Sequence, residues 1–369
     1  MRQLLATVFI LMLGAQCFAD IHRVGSTKTY KSPNALYAAN VIHDGDTIEI
    51  DAEIYSGQAA LAIWKNNNLV IKGVGGRPHL SADGQQIAGK GIWVFSGNSI
   101  TVENIEFSGS SVPDKNGAGI RFQGIGLTVR HCYFHDNENG ILAGNPYEGD
   151  ILIEFSEFAR NGYGDGYSHN LYIGHINKLT FRFNYSHHAD IGHNLKSRAN
   201  ENFVLYNRIM DEKTGNSSRL IDLPNGGLSI IMGNLLMQGN SAKNSNMVGF
   251  GLEGLTNSSP HELYFINNTL VNKKSSLTSF LDIKNGTATA NVSNNIFAGT
   301  GTVVKGSTTL IENNLIDKDI SSLGFVDESN YDYRLNSNSP AIDHGITINP
   351  VNGHSLTNKV RLCEARTTI

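Results

Sequence analysis

The 369-residue chain is poor in charge, in cysteine and in any pattern of helical period. Charged residues make up 17% of it, below the usual quarter, and the formal net charge is −4. That weakly acidic balance argues against a nucleic-acid binder that works by neutralising phosphates. Cysteine occurs three times, at positions 17, 132 and 363. So few and so scattered, the cysteines make neither a disulfide scaffold nor a zinc site. Cys132 occupies an apolar repeat position and reads as a buried thiol rather than a partner of Cys363. Past residue 19 no apolar run is long enough to cross a bilayer, so no membrane span is expected. Glycine is abundant but has no period of three, which excludes collagen.

The N-terminus is set apart from the rest. Met1-Arg2 gives a short basic start, Leu4 to Leu13 an apolar core, and Ala15 to Ala19 small residues before Asp20. This reads as a secretory signal, residues 1–19, with cleavage after Ala19. A lipid anchor at Cys17 is the weaker reading, because Gln16 precedes it poorly. The mature protein is expected to be secreted or periplasmic in a bacterium.

What the chain does have is a repeat. A β run ends in a polar residue, often Asn, and an apolar residue follows shortly after. The pattern shows in Val102-Glu103-Asn104-Ile105-Glu106-Phe107, Val129-Arg130-His131-Cys132-Tyr133-Phe134 and Tyr206-Asn207-Arg208-Ile209. It continues in Met232-Gly233-Asn234-Leu235, Ile266-Asn267-Asn268-Thr269-Leu270, Ser293-Asn294-Asn295-Ile296-Phe297 and Glu312-Asn313-Asn314-Leu315. The mean step is about 26 residues, a period of short strands that means a solenoid, here a parallel β-helix. Steps of unequal length put loops of different size on a constant core. Asn stacked from coil to coil can hydrogen-bond along the axis, so the recurring Asn reads as structural rather than catalytic. The β-helix domain is expected over 20–345, and 346–369 is an unassigned C-terminal tail.

Both ends of the domain look like caps. Ser32-Pro33 opens a short amphipathic helix whose apolar face is Ala35, Leu36, Ala38, Ala39 and Ile42. The turn Asp44-Gly45-Asp46 then leads to the strand Thr47–Ile50. This opening, with Tyr55 and the coil repeats, resembles the secreted right-handed parallel β-helix superfamily that includes pectate lyases. The stretches Asp332-Tyr333-Arg334-Leu335 and Ser339-Pro340-Ala341-Ile342-Asp343-His344-Gly345 resemble an ending common in bacterial members. The resemblance implies an all-β, single-domain right-handed parallel β-helix with an N-terminal capping helix.

In such a solenoid, residues pointing out of one sheet form a straight rail, with rungs about 4.8 Å apart. His169-Asn170-Leu171-Tyr172-Ile173-Gly174 aligns with His193-Asn194-Leu195-Lys196-Ser197-Arg198. With Leu171, Ile173, Leu195 and Ser197 inside, alternation places Asn170, Tyr172, Asn194, Lys196 and Arg198 outside. Arg219-Leu220-Ile221-Asp222-Leu223 then sets Asp222 beside Lys196. The expected rail is Arg121, Leu142, Tyr172, Lys196, Asp222, Glu253 and Asp282. His169 and His193 flank it at strand starts, where parity does not decide their direction. Gly164-Asp165-Gly166-Tyr167-Ser168 is a flexible polar approach to the same place.

These residue types suit β-elimination on a uronate. The reaction needs a cation to hold the carboxylate and a tuned base and acid. Candidate catalytic residues are Lys196, Arg198, Tyr172, His169, His193 and Asp222. Candidate substrate-binding residues are Asn170, Asn194, Arg121, Arg219, Glu253 and Asp165. The string Leu195-Lys196-Ser197, followed by Asn202, Asn207 and the Asp222 coil, resembles the active-site coils of the chondroitinase B and alginate lyase family. The resemblance implies Lys196 as base and an Arg as acid, and it brings in calcium as the one cofactor. Asp222-Leu223-Pro224 departs from that family's Arg-His pair, so Arg198, Arg219, a Tyr or a His must supply the acid.

Two alternatives stand beside the lyase: a glycoside hydrolase using Asp165, Asp222 and Glu253, and a non-catalytic glycan-binding or surface solenoid. The lysine beside Asp222 is expected to lower its pKa and spoil it as a general acid. A monomer acting on an acidic polysaccharide, with no nucleic acid and no membrane span, is the expected partner profile. No residue is assigned as a metal ligand; His187-His188 point to opposite faces of a strand. Gly73-Val74-Gly75-Gly76 is a turn, since no helix follows it. Trp64 and Trp93 read as core or cap packing rather than sugar platforms.

Overall fold

A computed structural model describes residues 19–276, 279–351 and 353–356. The expected signal segment falls almost wholly outside these residues, as do Cys17 and Cys363. Three long parallel sheets run side by side, with 12, 10 and 11 strands. The chain visits them in a fixed order. Thr47–Asp51 lies in the first sheet, Ile54–Ser56 in the third and Ala62–Trp64 in the second, and Val70–Val74 returns to the first. Each turn of the coil thus adds one strand to every sheet, as the repeat predicts.

Inward side chains stack in columns. Ile71, Val102, Val129, Ile153, Phe181, Val204, Ile231, Phe265 and Val292 form one, all fully buried. Phe107, Phe134 and Phe158 stack nearly parallel, with centroids 4.9 and 5.0 Å apart. Trp64 and Trp93 pack edge-on in the core at 5.5 Å, and the Trp93 Nε1–H donates to the Ala60 carbonyl. Cys132 is a buried free thiol, and burial pushes it up to about 12.

The recurring Asn has two different jobs. Between the first and third sheets each coil needs a left-handed residue, and Asn104, Asn267, Asn294 and Asn313 supply it at φ between 48° and 58°. Asn tolerates that region because its short side chain can bond locally. The next residue points inside. There Asn184, Asn207, Asn234, Asn268, Asn295 and Asn314 form a ladder in which each Nδ2–H donates to the next Oδ1, at 2.9 to 3.2 Å.

A second ladder runs through the turn from the third to the second sheet. It consists of Asn137, Asn161, Asn170 and Asn194. This corrects the expectation for Asn170 and Asn194, which are fully buried rather than outward. Both precede their strands (Leu171–Ile173 and Leu195–Ser197), so strand alternation does not govern them.

The N-terminal end is covered, whereas the last coil is open. Ile311, next in the column after Val292, is 47% exposed and Ile316, next after Phe297, is 52% exposed, which corrects the expectation of a C-terminal cap. The helix Pro33–Ala39 starts at Ser32, whose Oγ accepts from the Ala35 amide, and buries Leu36. After the last coil the chain turns back along the outside of the third sheet, where Phe325–Asp327 pairs antiparallel with Asp332–Leu335. Leu323 and Tyr333 pack on Met210, Met237, Val271 and Ala298 of the third sheet. The expected tail does not hang free where it is described. Ile348 and Leu356 pack against Phe203, Ile230, Met232 and Ile266 on the outer face of the first sheet. No helix among the described residues is long and apolar enough to cross a membrane.

Candidate functional site

From Arg121 onward the outer face of the second sheet carries a row of mainly polar residues. Its register aligns Arg121, Leu142, Tyr172, Lys196, Asp222, Gly249, Asp282 and Lys305 in one row. The expected rail is therefore present with one change: Gly249 stands in the row where Glu253 was placed. Glu253 reaches the row from the turn Gly251–Gly254, pinned by its amide on the Pro224 carbonyl. A β-carbon at Gly249 would lie 3.0 Å from Asp222 Oδ1 and 2.9 Å from Leu252 Cδ1, so the glycine leaves room for the groups beside it.

Tyr172, Lys196 and Arg198 form one contact network with Glu253. The Lys196 ammonium donates to Glu253 Oε1 at 2.6 Å, and the Arg198 guanidinium donates to Glu253 Oε2 at 2.5 Å. Arg198 Nε–H also donates to Tyr172 Oη at 2.8 Å, and its third edge reaches Asn225 Oδ1 at 2.6 Å. Asn225 is held in turn by Thr256. Burial works against the charge on Arg198, but the bonds to Glu253 and Tyr172 outweigh it and hold its pKa up. Partial burial pushes Glu253 up, and the bonds from Lys196 and Arg198 bring it below the usual carboxylate range.

Beneath this network lies a buried layer. Asp222 is 1% exposed and sits within ion-pair reach of three groups. These are Arg219 at 3.1 Å, Lys196 at 3.3 Å and His193 Nε2 at 3.4 Å. Burial raises the pKa of Asp222 despite Arg219 and Lys196. Lys196 does lower it, as expected, but desolvation outweighs that effect because the carboxyl has almost no contact with water, so the net shift is upward.

His169 and His193 lie under the rail, not on it, stacked at 4.9 Å. His169 also stacks on Tyr172 at 5.6 Å. Each Nδ1 accepts from the backbone amide one coil on, His169 from His193 and His193 from Arg219. That leaves the ring proton on Nε2. Burial holds both imidazoles well below their usual pKa. Lys196 acts in the same direction on both, so they are neutral at physiological pH.

The other expected residues lie around this centre. Arg219 links Asp222 to Asn246, and Asn246 donates to Asp282. Arg121 lies two rungs before Tyr172, half-buried, and its Nε–H is buried with no hydrogen-bond partner. Asp165 is exposed, and its Oδ1 accepts from the Tyr167 amide in its own loop. The structure does not bring it into contact with Asp222. Asn225 and Asn246 were not anticipated; Asn225 follows Pro224 in a stretch that reads as a plain turn.

A pectate lyase, Pel9A, aligns with a TM-score of 0.56 at 13% identity, over 91% of this chain and 94% of its own. The fold is that of the pectate-lyase-like right-handed parallel β-helix. An alginate lyase from Paenibacillus sp. aligns over 80% of this chain and 99% of its own, with a TM-score of 0.46 and 11% identity. Pectin methylesterase PemA from Erwinia chrysanthemi covers 80% of this chain and 89% of its own, with a TM-score of 0.34 and 11% identity. No protein-family model and no curated relative matches the sequence. A pectate-lyase-like fold hosts many chemistries, so the reaction has to be argued from the residues.

Calcium was the cofactor brought in by resemblance. It asks for about six to eight converging oxygen donors. Along this face Asp222, Glu253 and Asp282 are already matched by Lys196, Arg198, Arg219 and Lys305. The residues present do not fit a calcium ion.

Proposed function

We propose that this protein is an exported polysaccharide lyase that cleaves a uronate-containing polymer on the outer face of the second sheet. The observation that carries the reading is the Tyr172–Arg198–Glu253–Lys196 network. Two cations on adjacent positions converge on one carboxylate, as they would on a substrate uronate. Arg198 is a planar fork suited to a carboxylate, and the unpaired Arg121 Nε–H offers a second donor on the same face.

In the proposed reaction the sugar carboxylate takes the position of the Glu253 carboxylate against Arg198. Charge drawn from that carboxylate makes the neighbouring ring C–H more acidic. The displaced Glu253 carboxylate carries off one proton of the Lys196 ammonium, and the neutral amine left behind takes the C–H proton. The C–H electron pair becomes the new carbon–carbon double bond, and the bond to the glycosidic oxygen breaks. Tyr172 Oη, oriented by Arg198, returns a proton to the leaving oxygen. Neutral His169 and His193 act as positioning residues, the first against the Tyr172 ring and the second against Asp222.

The hydrolase alternative asks for two carboxyls that can reach the sugar. Asp222 is buried, Asp165 is tied to its own loop and Glu253 is neutralised by Lys196 and Arg198, so the lyase reading fits better. The test is ultraviolet absorbance of unsaturated uronate products on a panel of acidic polysaccharides. Lys196→Ala and Arg198→Ala should abolish the signal while circular dichroism stays unchanged. New reducing ends without absorbance would move the assignment to hydrolysis. Full activity in Lys196→Ala would remove it as the base.

A further inference from the structure

A second constellation lies on the third sheet, far along the coil circuit from the rail. We propose that His79, Glu106 and His135 form a binding site for one divalent transition-metal ion of the zinc type. The three residues come from successive strands, His79–Ser81, Glu106–Ser108 and Tyr133–His135. His79 pairs directly with Glu106, while His135 lies two residues past Glu106's partner Tyr133, across from Ser108, and reaches back along the same face. All three side chains point out of the sheet toward one point.

The geometry is that of a three-ligand site. His135 Nε2 is 3.0 Å and His79 Nε2 3.6 Å from the same Glu106 oxygen. The three ligand atoms all lie within 4.8 Å of one another. A tetrahedral zinc ion with bonds of about 2.0–2.1 Å needs its donors roughly 3.3 Å apart, so small side-chain adjustments would seat it. Two imidazoles and one carboxylate are a ligand set that suits zinc and leaves a fourth position open. Ser108 Oγ hydrogen-bonds His79 Nε2 at 2.7 Å, a contact that a bound ion would replace. The three side chains are between 14% and 26% exposed, so an ion can enter from solvent.

The outer layer is an independent observation pointing the same way. His135 Nδ1 lies 2.6 Å from Asp136 Oδ2, and Arg160 grips that carboxylate with two bonds of 2.9 Å. A carboxylate behind a histidine fixes its proton on Nδ1 and aims the lone pair of Nε2 forward, the arrangement seen behind metal-ligating histidines. Here His135 Nε2 lies 3.0 Å from the Glu106 carboxylate. A proton on Nε2 or a cation in its place satisfies that contact, and His79 Nε2 supplies a third donor to the same point. Among the described residues this is the one cluster whose ligand atoms converge in this way. Bound, the ion would tie three successive coils near the N-terminal end of the solenoid.

The test uses the full, untagged mature chain, stripped with a chelator and titrated with zinc by calorimetry. One equivalent should bind, and the thermal midpoint should rise with zinc concentration. Cobalt(II) should give the visible bands of a low-coordinate nitrogen and oxygen site. His79→Ala and His135→Ala should each weaken zinc binding by about tenfold or more. His187→Ala, on the other histidine–glutamate pair of this sheet, should leave it unchanged. No binding by the unmodified chain at about millimolar zinc would overturn the proposal and leave a proton as the positive centre. Undiminished binding in the His79→Ala, His135→Ala double variant would overturn it as well.

Discussion

The adjacent pair Asn267 and Asn268 provides a sharp test of how the solenoid is held together. Asn268 is 1% exposed, and its side chain serves four partners. Its Oδ1 accepts from the Asn234 backbone amide at 2.9 Å and from Asn234 Nδ2 at 3.0 Å. Its Nδ2–H donates to the Ile231 carbonyl at 2.9 Å and to Asn295 Oδ1 at 3.1 Å. Two of these partners have another bond to fall back on. Asn234 Nδ2 still reaches the Val204 carbonyl, and Asn295 Oδ1 still accepts from the Asn268 amide. The Asn234 amide and the Ile231 carbonyl lose the bonds Asn268 gives them in a dry interior. At about 1–3 kcal/mol for each orphaned buried group, Asn268→Ala should cost about 3 kcal/mol. Asn267 instead supplies a left-handed backbone at φ 56°, and in the preceding coil Gly233 does the same at φ 69°. Asn267→Gly should therefore cost less than about 1 kcal/mol. Urea unfolding followed by circular dichroism measures both. Equal losses, or a larger loss in Asn267→Gly, would refute the division of labour between the two residues.

Further expectations concern charge. If the Glu253 carboxylate stands where a uronate binds, Glu253→Gln should lower KM for an anionic polymer, because the competitor has lost its charge; a raised KM in steady-state assays would count against that role. Asp211 is buried, and burial lifts its pKa from 3.8 to about 6 against the hydrogen bond from the Gly239 amide. Its native state thus holds a proton that the unfolded chain gives up more easily. The associated stability is complete below about pH 4 and is lost as pH rises through about 6, a change of up to about 3 kcal/mol. Asp211→Asn should flatten this slope and melt higher than the parent at pH 7, which a set of thermal melts across pH would show.

How far the sequence could be read depended on where each residue sits in the coil. Inside a strand, alternation is forced by backbone geometry. Tyr172, Lys196, Asp222 and Asp282 therefore fell into one row as expected. The repeat was legible because the left-handed turn and the internal amide ladder both call for Asn, twice in each of several coils. At the turns that logic fails. Asn170 and Asn194 look like outward polar residues, yet the chain bends there and carries them into the interior. No periodicity announces that Glu253 arrives from a turn, because its approach depends on Gly249 leaving the row empty. The His79–Glu106–His135 cluster was invisible for a related reason. Its members are about a coil apart, and no local spacing marks them as neighbours until the register is known.

The buried layer under the rail explains why so many polar groups can share one small area. Lys196 has carboxylates on two sides, Asp222 below and Glu253 above. Arg219 and His193 hold Asp222 from its other sides, so the lower carboxylate is fixed. Glu253 is different: it is exposed, sits on a turn bounded by glycines and touches only the cations it neutralises in this network. An anionic ligand competing for Lys196 and Arg198 would therefore displace Glu253 before it disturbed Asp222. On the proposed lyase reading, Lys196 and Arg198 are kept paired and ordered without substrate, and movement of the Glu253 side chain alone would free both, Arg198 for the sugar carboxylate and Lys196 for proton transfer. Such preorganisation lowers the cost of ordering Lys196 and Arg198 when substrate binds, because their positions are already set.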